Sequence, residues 1–153
     1  MSKKNDLYDG VMMDHIKNAR NYRKIINPTH TADGNNPLCG DSFTVYLVVN
    51  DSVIVESSFQ CECCGISMAS ASIMTETIKG KEFNVAKKIL ENFLNMLKEG
   101  SKMSINSLTE DENTTMMSLS GVKRFPMRVK CATLAWHTFI HAAEGKEETA
   151  VTE

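Results

Sequence analysis

The sequence predicts an α+β fold, in which a small antiparallel sheet of about three strands carries several helices packed on one face. Three observations predict it: a leading helical segment, two adjacent β-rich runs joined by a short polar turn, and a succession of helical patterns after them. Elements segregated along the chain in this order are typical of α+β domains rather than of alternating α/β ones. The 153 residues fit a single domain spanning 1–153.

The N-terminal half supplies the first helix and the sheet. Residues 6–20 space their apolar side chains roughly along one helical face, and residues 29–34 have the weak signature of a short edge strand. Residues 42–49 form a β-branched and aromatic run, which is typical of a strand. A polar turn at 50–52 leads into a second such run at 53–60, so the two runs predict a hairpin.

Helices dominate the remainder. Residues 66–79 are rich in small side chains and predict a helix that ends at Gly80, since glycine is the usual residue just beyond a helix. Residues 85–98 repeat apolar side chains with a period near 3.6, and Asn84 is placed to cap that helix.

The last third of the chain is interrupted before its final helix. Residues 101–115 are polar and predict an insertion on the surface, and residues 114–120 predict a short helix that ends at Gly121. Pro126 should break any helix at that point, which leaves residues 131–143 as the last helix. The charged tail from about 146 is expected to fray.

Composition excludes several function classes. A formal net charge of -2 gives no general attraction to nucleic acid or to anionic membranes, and no stretch approaches the ~20 apolar residues of a membrane span. The N-terminus is polar and does not read as a signal peptide. The odd count of five cysteines then favours a cytoplasmic location, where thiols stay reduced.

The placement of the cysteines is the strongest functional signal. Cys39, Cys64 and Cys131 lie far apart, each at a junction between predicted elements, and Asp41 follows Cys39 by two residues. Three thiolates and a carboxylate make a four-donor set for zinc or iron. A lone cysteine at a helix start is more often a small buried residue, but three such positions together weaken that interpretation.

A second candidate metal pair has less support. His137 and His141 are four residues apart on the last predicted helix, so their side chains would share one face. No further donor accompanies them in the sequence, and the glutamate of a helical zinc-protease motif is absent. All four histidines (His15, His30, His137 and His141) are therefore expected to be solvated or to interact with helix caps.

Three motifs resemble a known family. Residues 35–41 read NNPLCGD, residues 64–72 read CGISMASAS, and residues 128–134 read RVKCATL. Together they resemble the NifU N-terminal/IscU/SufU iron–sulfur cluster assembly proteins, and the segment DHIKNARN at 14–21 is similar to the family's opening motif. The resemblance runs from about residue 7 to residue 144.

Two positions make the chain look like the SufU branch. Lys130 stands where IscU-type scaffolds carry histidine, and residues 124–128 read RFPMR where those scaffolds carry a chaperone-binding LPPVK motif. The polar residues 101–115 also resemble the insertion that marks SufU.

The resemblance implies a function with two versions. SufU-like proteins hold zinc and accept persulfide sulfur from a SufS-type cysteine desulfurase, which implies a sulfurtransferase. IscU-like proteins are scaffolds on which a [2Fe–2S] cluster is assembled and passed to apo iron–sulfur proteins or a downstream scaffold. A zinc-stabilised interaction module without sulfur chemistry is a third alternative.

The resemblance also assigns roles to individual residues. Cys39, Asp41, Cys64 and Cys131 fall on the positions of the family's zinc or cluster ligands. Among the three thiols, Cys39 is the candidate for the catalytic thiol that attacks a persulfide. Its neighbour Gly40 and the preceding turn should give the Cys39 loop freedom that helix-anchored cysteines lack.

One segment departs from the family pattern. Cys61 and Cys63 stand where relatives carry glycines before the second cysteine motif. Alternative ligands, a sulfur relay, a reducible pair and tolerated small residues at a strand end all remain open.

Overall fold

The protein is described here by a computed structural model that covers residues 10–37, 40–99, 108–145 and 150–151. Its helices and strands confirm the α+β prediction. In chain order the elements are α1 (Gly10–Lys17), β1 (His30–Asn36), β2 (Asp41–Asn50), β3 (Val53–Glu62), α2 (Gly65–Ile78), α3 (Phe83–Glu99), α4 (Glu110–Met117), a 3₁₀ helix (Ser118–Arg124), α5 (Pro126–Ala143) and β4 (Ala150–Val151).

The sheet has four strands in the order β3-β2-β1-β4. The strand β2 pairs antiparallel with both β1 and β3, and its pairing with β3 confirms the predicted hairpin. Asp51 and Ser52 form the β2–β3 turn with φ of 52° and 66°, the left-handed pair that matches the twist of a hairpin. Ala150 and Val151 lie in the predicted tail, where they form β4 and pair in parallel with β1.

One face of the sheet forms the core together with α2 and α5. Along β2 the side chains of Phe43, Val45 and Leu47 are at most 2% exposed, and they alternate with more exposed residues at 42 and 44. This period of two is what a sheet covered on one face requires. The predicted placement of helices on one face of the sheet is therefore confirmed for this pair.

Small side chains let α2 and α5 approach each other closely. Ser70 is fully buried in α2, and its hydroxyl donates to the Ala132 carbonyl oxygen of α5 at 2.5 Å. The same hydroxyl oxygen accepts a hydrogen bond from Trp136 Nε1 at 3.1 Å. The small residues noted in the sequence thus permit polar cross-links that fix α5 on α2.

Several predicted helix ends differ from those observed. The first helix, predicted to reach residue 20, ends at Lys17. Asn84 lies inside α3 instead of capping it, because the helix begins at Phe83, two residues before the predicted start. The predicted short helix at 114–120 begins earlier, at Glu110, because Thr109 and Glu112 form a reciprocal capping box. It also continues as a 3₁₀ helix past Gly121 to Arg124.

Pro126 starts a helix instead of only breaking one. It occupies the first turn of α5, where its missing N–H has no intrahelical partner to lose and its fixed φ suits the helix. Cys131 is consequently the sixth residue of α5 and not its first. Across the part of the chain that the structure describes, no helix combines the length and apolarity that a membrane crossing needs.

Candidate metal and sulfur site

Three of the four predicted ligands converge in the structure. Asp41 begins β2, Cys64 directly precedes α2, and Cys131 lies in the second turn of α5. One donor atom from each lies within 4.8 Å of the others. Asp41 and Cys131 are 4% and 2% exposed, whereas Cys64 is half-buried. The fold therefore gathers one carboxylate and two thiols, with Cys64 on the more open side.

Asp41 is held by hydrogen bonds from the start of α2. The backbone N–H of Cys64 donates to Asp41 Oδ1 at 3.1 Å, and the Ser67 hydroxyl donates to Asp41 Oδ2. Cys64 Sγ lies 3.7 Å from the same Oδ2. The backbone N–H groups at a helix start have no partner within the helix, so they and nearby hydroxyls are natural hydrogen-bond donors to a carboxylate. The carboxylate is thus satisfied by protein donors even without a metal.

Ser67 is a site residue that the sequence analysis missed. Its fully buried hydroxyl lies 3.4 Å from Cys64 Sγ and 3.1 Å from the Cys131 carbonyl oxygen, in addition to its bond to Asp41. It therefore contacts all three converging residues. The available signal was its spacing, because a residue three positions after a helix cap lies over that cap.

Cys131 owes its position to the seating of α5 against β1. Gly34 of β1 faces Thr138, and a Cβ at position 34 would lie 2.0 Å from Thr138 Oγ1. Only glycine permits so close an approach of strand and helix. On the other side of α5, Trp136 packs on Phe93 with ring centroids 4.9 Å apart. The helix α5, which carries Cys131, is therefore packed between β1 on one side and α3 on the other.

His15 is buried, contrary to the expectation of solvated or cap-interacting histidines. Its Nδ1 lies 2.7 Å from Ser72 Oγ, which also accepts from the backbone N–H of Arg20 at 2.8 Å. Burial, assisted by the nearby Arg20 charge, lowers the pKa of His15 to about 4. The ring is therefore neutral at pH 7 and connects α1 to α2.

The pair His137 and His141 does not join a larger donor group. Of the described residues, those that gather three or more potential ligands are Asp41, Cys64 and Cys131. Burial, and secondarily the neighbouring His141, lowers the pKa of His137.

Three cysteines remain: Cys39, which is predicted to be a ligand and the catalytic thiol, and the pair Cys61 and Cys63. Cys39 lies outside the described residues, so its role as fourth ligand and catalytic thiol stays a prediction. Cys61 and Cys63 form a disulfide, with Cα atoms 5.6 Å apart. The general expectation of reduced thiols is wrong for this pair, in which Cys61 lies in β3 and Cys63 follows the last residue of that strand, Glu62.

Comparison of the chain with known proteins shows which family it belongs to. Residues 7–132 match the family described as the NifU-like N terminal domain. The chain belongs to this family. It is 38% identical over 142 residues to the zinc-dependent sulfurtransferase SufU of Bacillus subtilis (strain 168), with 93% of this chain and 92% of that protein covered. It is also 34% identical over 139 residues to the iron–sulfur cluster assembly scaffold protein IscU of Thermotoga maritima, covering 89% and 92% respectively.

Solved structures in this family have the same architecture. The crystal structure of an iron–sulfur cluster assembly scaffold protein for the SUF system, from Fervidobacterium islandicum AW-1, matches with a TM-score of 0.79 at 33% identity, covering 89% of this chain and 96% of that chain. The N-terminal part of a NifU-like protein from Brucella abortus matches with a TM-score of 0.82 at 20% identity, covering 94% and 96%. The second likeness, at this low identity, concerns the fold alone.

Proposed function

We propose that this protein is a zinc-dependent persulfide sulfur acceptor that works with a cysteine desulfurase in iron–sulfur cluster assembly. The convergence of Asp41, Cys64 and Cys131 within 4.8 Å is the observation that carries this proposal. The similarity to a zinc-dependent sulfurtransferase over nearly the whole chain supports it.

The donor set suits zinc. With Zn–S bonds of about 2.3 Å, the sulfur ligands of a tetrahedral site lie about 3.8 Å apart. Donor atoms within 4.8 Å of one another need only small side-chain movements to reach that geometry. Cys39, which lies two residues before Asp41 in the sequence, would supply the fourth donor. Bound zinc would keep the ligand thiols deprotonated and protected from oxidation.

The surroundings of Asp41 suit a donor that must leave the metal. Carboxylate is a harder ligand than thiolate, so it binds a thiolate-rich zinc site less firmly. A displaced Asp41 still accepts hydrogen bonds from the Cys64 N–H and the Ser67 hydroxyl, so it is not left buried without partners. Opening of the site at Asp41 therefore avoids the main penalty of burying an unpaired charge.

A cluster scaffold is the second candidate function. The similarity to IscU proteins named as scaffolds favours it. Two observations weigh against it: Lys130 stands where the IscU type carries histidine, and the thiols of Cys61 and Cys63 are bonded to each other and cannot serve iron in that state. We further propose that the protein acts in the cytoplasm, with a SufS-type desulfurase upstream and apo iron–sulfur proteins or a further scaffold downstream.

The test uses anaerobically purified, zinc-loaded protein mixed with a SufS-type cysteine desulfurase and cysteine. The protein is used with its Cys61–Cys63 pair oxidised, as in the structure. We expect faster alanine release and a persulfide on the Cys39 peptide, located by mass spectrometry. Cys39→Ala should abolish sulfur acceptance without unfolding the protein, whereas the matched cysteine variant Cys61→Ser/Cys63→Ser should retain it. Full sulfur loading of Cys39→Ala would contradict the assignment of that residue.

Absence of stimulation by the wild-type protein would contradict the acceptor function itself. Iron and sulfide would then be supplied, and assembly of a [2Fe–2S] cluster that transfers to an apo-ferredoxin would establish the scaffold. If ligand variants lost only thermal stability, and neither activity could be measured, the protein would be an interaction module.

A further inference from the structure

The disulfide lies at the edge of the candidate site. Cys61 pairs across the ladder with Phe43, and Glu62 pairs with Ser42, the neighbour of Asp41. Cys61 lies on the core-facing side of β3, the side on which Phe43 and Asp41 of β2 are buried. Cys63 follows the last residue of β3, Glu62, and like Cys61 it packs against the core. Cys63 directly precedes the ligand Cys64 in the chain. Both disulfide sulfurs therefore belong to the segment that delivers Cys64 to the site.

This segment is anchored yet accessible. The Tyr22 hydroxyl donates to the Cys61 carbonyl oxygen at 2.9 Å, and the Tyr22 ring packs edge-on against Phe59 with centroids 5.2 Å apart. Cys61 and Cys63 are nevertheless only half-buried. A pair held in place by its backbone and open to solvent can be reduced and oxidised again without unfolding of the strand.

We propose that Cys61 and Cys63 act as a built-in dithiol that reduces persulfide sulfur at the Asp41–Cys64–Cys131 site to sulfide. This inference rests on the proposed function, because it needs a persulfide as substrate. Persulfide sulfur is at the oxidation level of elemental sulfur, whereas iron–sulfur clusters contain sulfide. Two electrons must therefore be supplied, and the oxidation of two thiols to one disulfide supplies two.

The reaction is two successive thiol–disulfide exchanges. The Cys63 thiolate attacks the outer sulfur of the persulfide. The thiolate that carried this sulfur leaves with the electron pair of the broken S–S bond. Cys63 then carries the persulfide. The Cys61 thiolate attacks Cys63 Sγ, the Cys61–Cys63 bond forms, and hydrosulfide leaves. The disulfide in the structure is the product state of this sequence, and an external dithiol reductant of the thioredoxin class would return it to the two thiols.

The test follows sulfide release in a single turnover without added reductant. Zinc-loaded protein with reduced thiols is desalted anaerobically and then loaded with persulfide in two ways: by a cysteine desulfurase with one equivalent of cysteine, which the loading consumes, or by one equivalent of glutathione persulfide. Sulfide is measured colorimetrically, and mass spectrometry counts persulfides and Cys61–Cys63 disulfides.

We expect about one sulfide and one new disulfide per wild-type chain, as the stoichiometry of exchange requires. Cys61→Ser/Cys63→Ser should hold its persulfide and release less than about a tenth as much sulfide, since it lacks the attacking thiols. Wild-type protein oxidised beforehand to the disulfide should behave like the variant. This second comparison involves no substitution, so it remains valid if the variant misfolds.

Equal sulfide release from wild-type, variant and pre-oxidised protein would overturn the inference, as would a wild-type persulfide that persists beside the reduced pair. The two loading routes separate this result from the proposed function. If the desulfurase loads nothing but chemically loaded wild-type protein still releases sulfide with disulfide formation, the dithiol chemistry stands and the desulfurase partnership fails.

Discussion

Gly34→Ala tests the close approach that seats the Cys131 helix on the sheet. The added Cβ would lie 2.0 Å from Thr138 Oγ1, 3.1 Å from Thr138 Cβ and 3.3 Å from Leu134 Cδ1. Rotation of Thr138 could remove the first contact but would break the bond from its hydroxyl to the Leu134 carbonyl oxygen at 2.8 Å. Rotation cannot move Thr138 Cβ, so β1 and α5 must separate slightly.

The expected cost follows from these contacts. Overpacking of a buried site costs about 1–3 kcal/mol, and the reduced freedom of the unfolded chain offsets about 0.4–1 kcal/mol. The free energy of unfolding should therefore fall by about 1–2 kcal/mol, or Tm by about 2–8 °C for a chain of this size. Urea unfolding is measured on zinc-free protein, because a bound metal would stabilise the folded state independently.

Thr138→Ala supplies the matched control. It removes the oxygen that lies 2.0 Å from the new Cβ. The double variant should therefore be more stable than the sum of the single effects predicts, by about 0.5–2 kcal/mol. Additivity within about 0.5 kcal/mol, or an unchanged stability of Gly34→Ala alone, would refute the steric reasoning.

Three further predictions concern the site, a helix cap and a buried histidine. Asp41→Ala should slow zinc transfer to a chromogenic chelator more than it changes zinc affinity, because the most easily displaced donor is lost. Unchanged release rates would exclude Asp41 as the donor at which the site opens. Thr109→Ala should cost about 0.5–2 kcal/mol in urea unfolding through loss of the capping box of α4, whereas the exposed Thr114→Ala should cost little. The pKa of His15 is lowered to about 4 in the folded state against 6.5 in the reference state, so the unfolded chain binds the extra proton. Stability should therefore be complete above pH 6.5 and fall as the pH drops towards 4, and His15→Gln should flatten this slope, measured by urea unfolding across that range.

Much of the fold could be predicted because local patterns and tertiary packing agree. The β-branched and aromatic run at 42–49 and the polar turn after it were sufficient for the hairpin, which the structure extends only at its ends. The weak signal at 29–34 underestimated β1, since this strand pairs on both sides and gains one partner, β4, from more than 100 residues away in the sequence. No local pattern in the chain encodes such a long-range pairing.

The candidate site was predictable as a set of residue types but not as an arrangement. The spacing of the cysteines, with the family motifs, indicated Asp41, Cys64 and Cys131 as donors that the fold would bring together. The position of Cys131 inside α5 was missed, because Pro126 was interpreted as a break although proline is equally favourable in a first helical turn. Ser67 was missed because its function depends on contacts with two other elements.

The arrangement of the site gives it a fixed side and an open side. Cys131 lies on α5, which packs against β1, α2 and α3, and Asp41 is buried at the start of β2, so both are constrained by the core. Cys64 and the Cys61–Cys63 pair just before it are half-buried. Of the cysteines that the structure describes, Cys131 is therefore the one that lies in the core. Sulfur that enters and leaves on the Cys64 side would not require the core to open. An acceptor that must exchange sulfur repeatedly with large protein partners benefits from this division, because the packing that stabilises the fold is separate from the bonds that change.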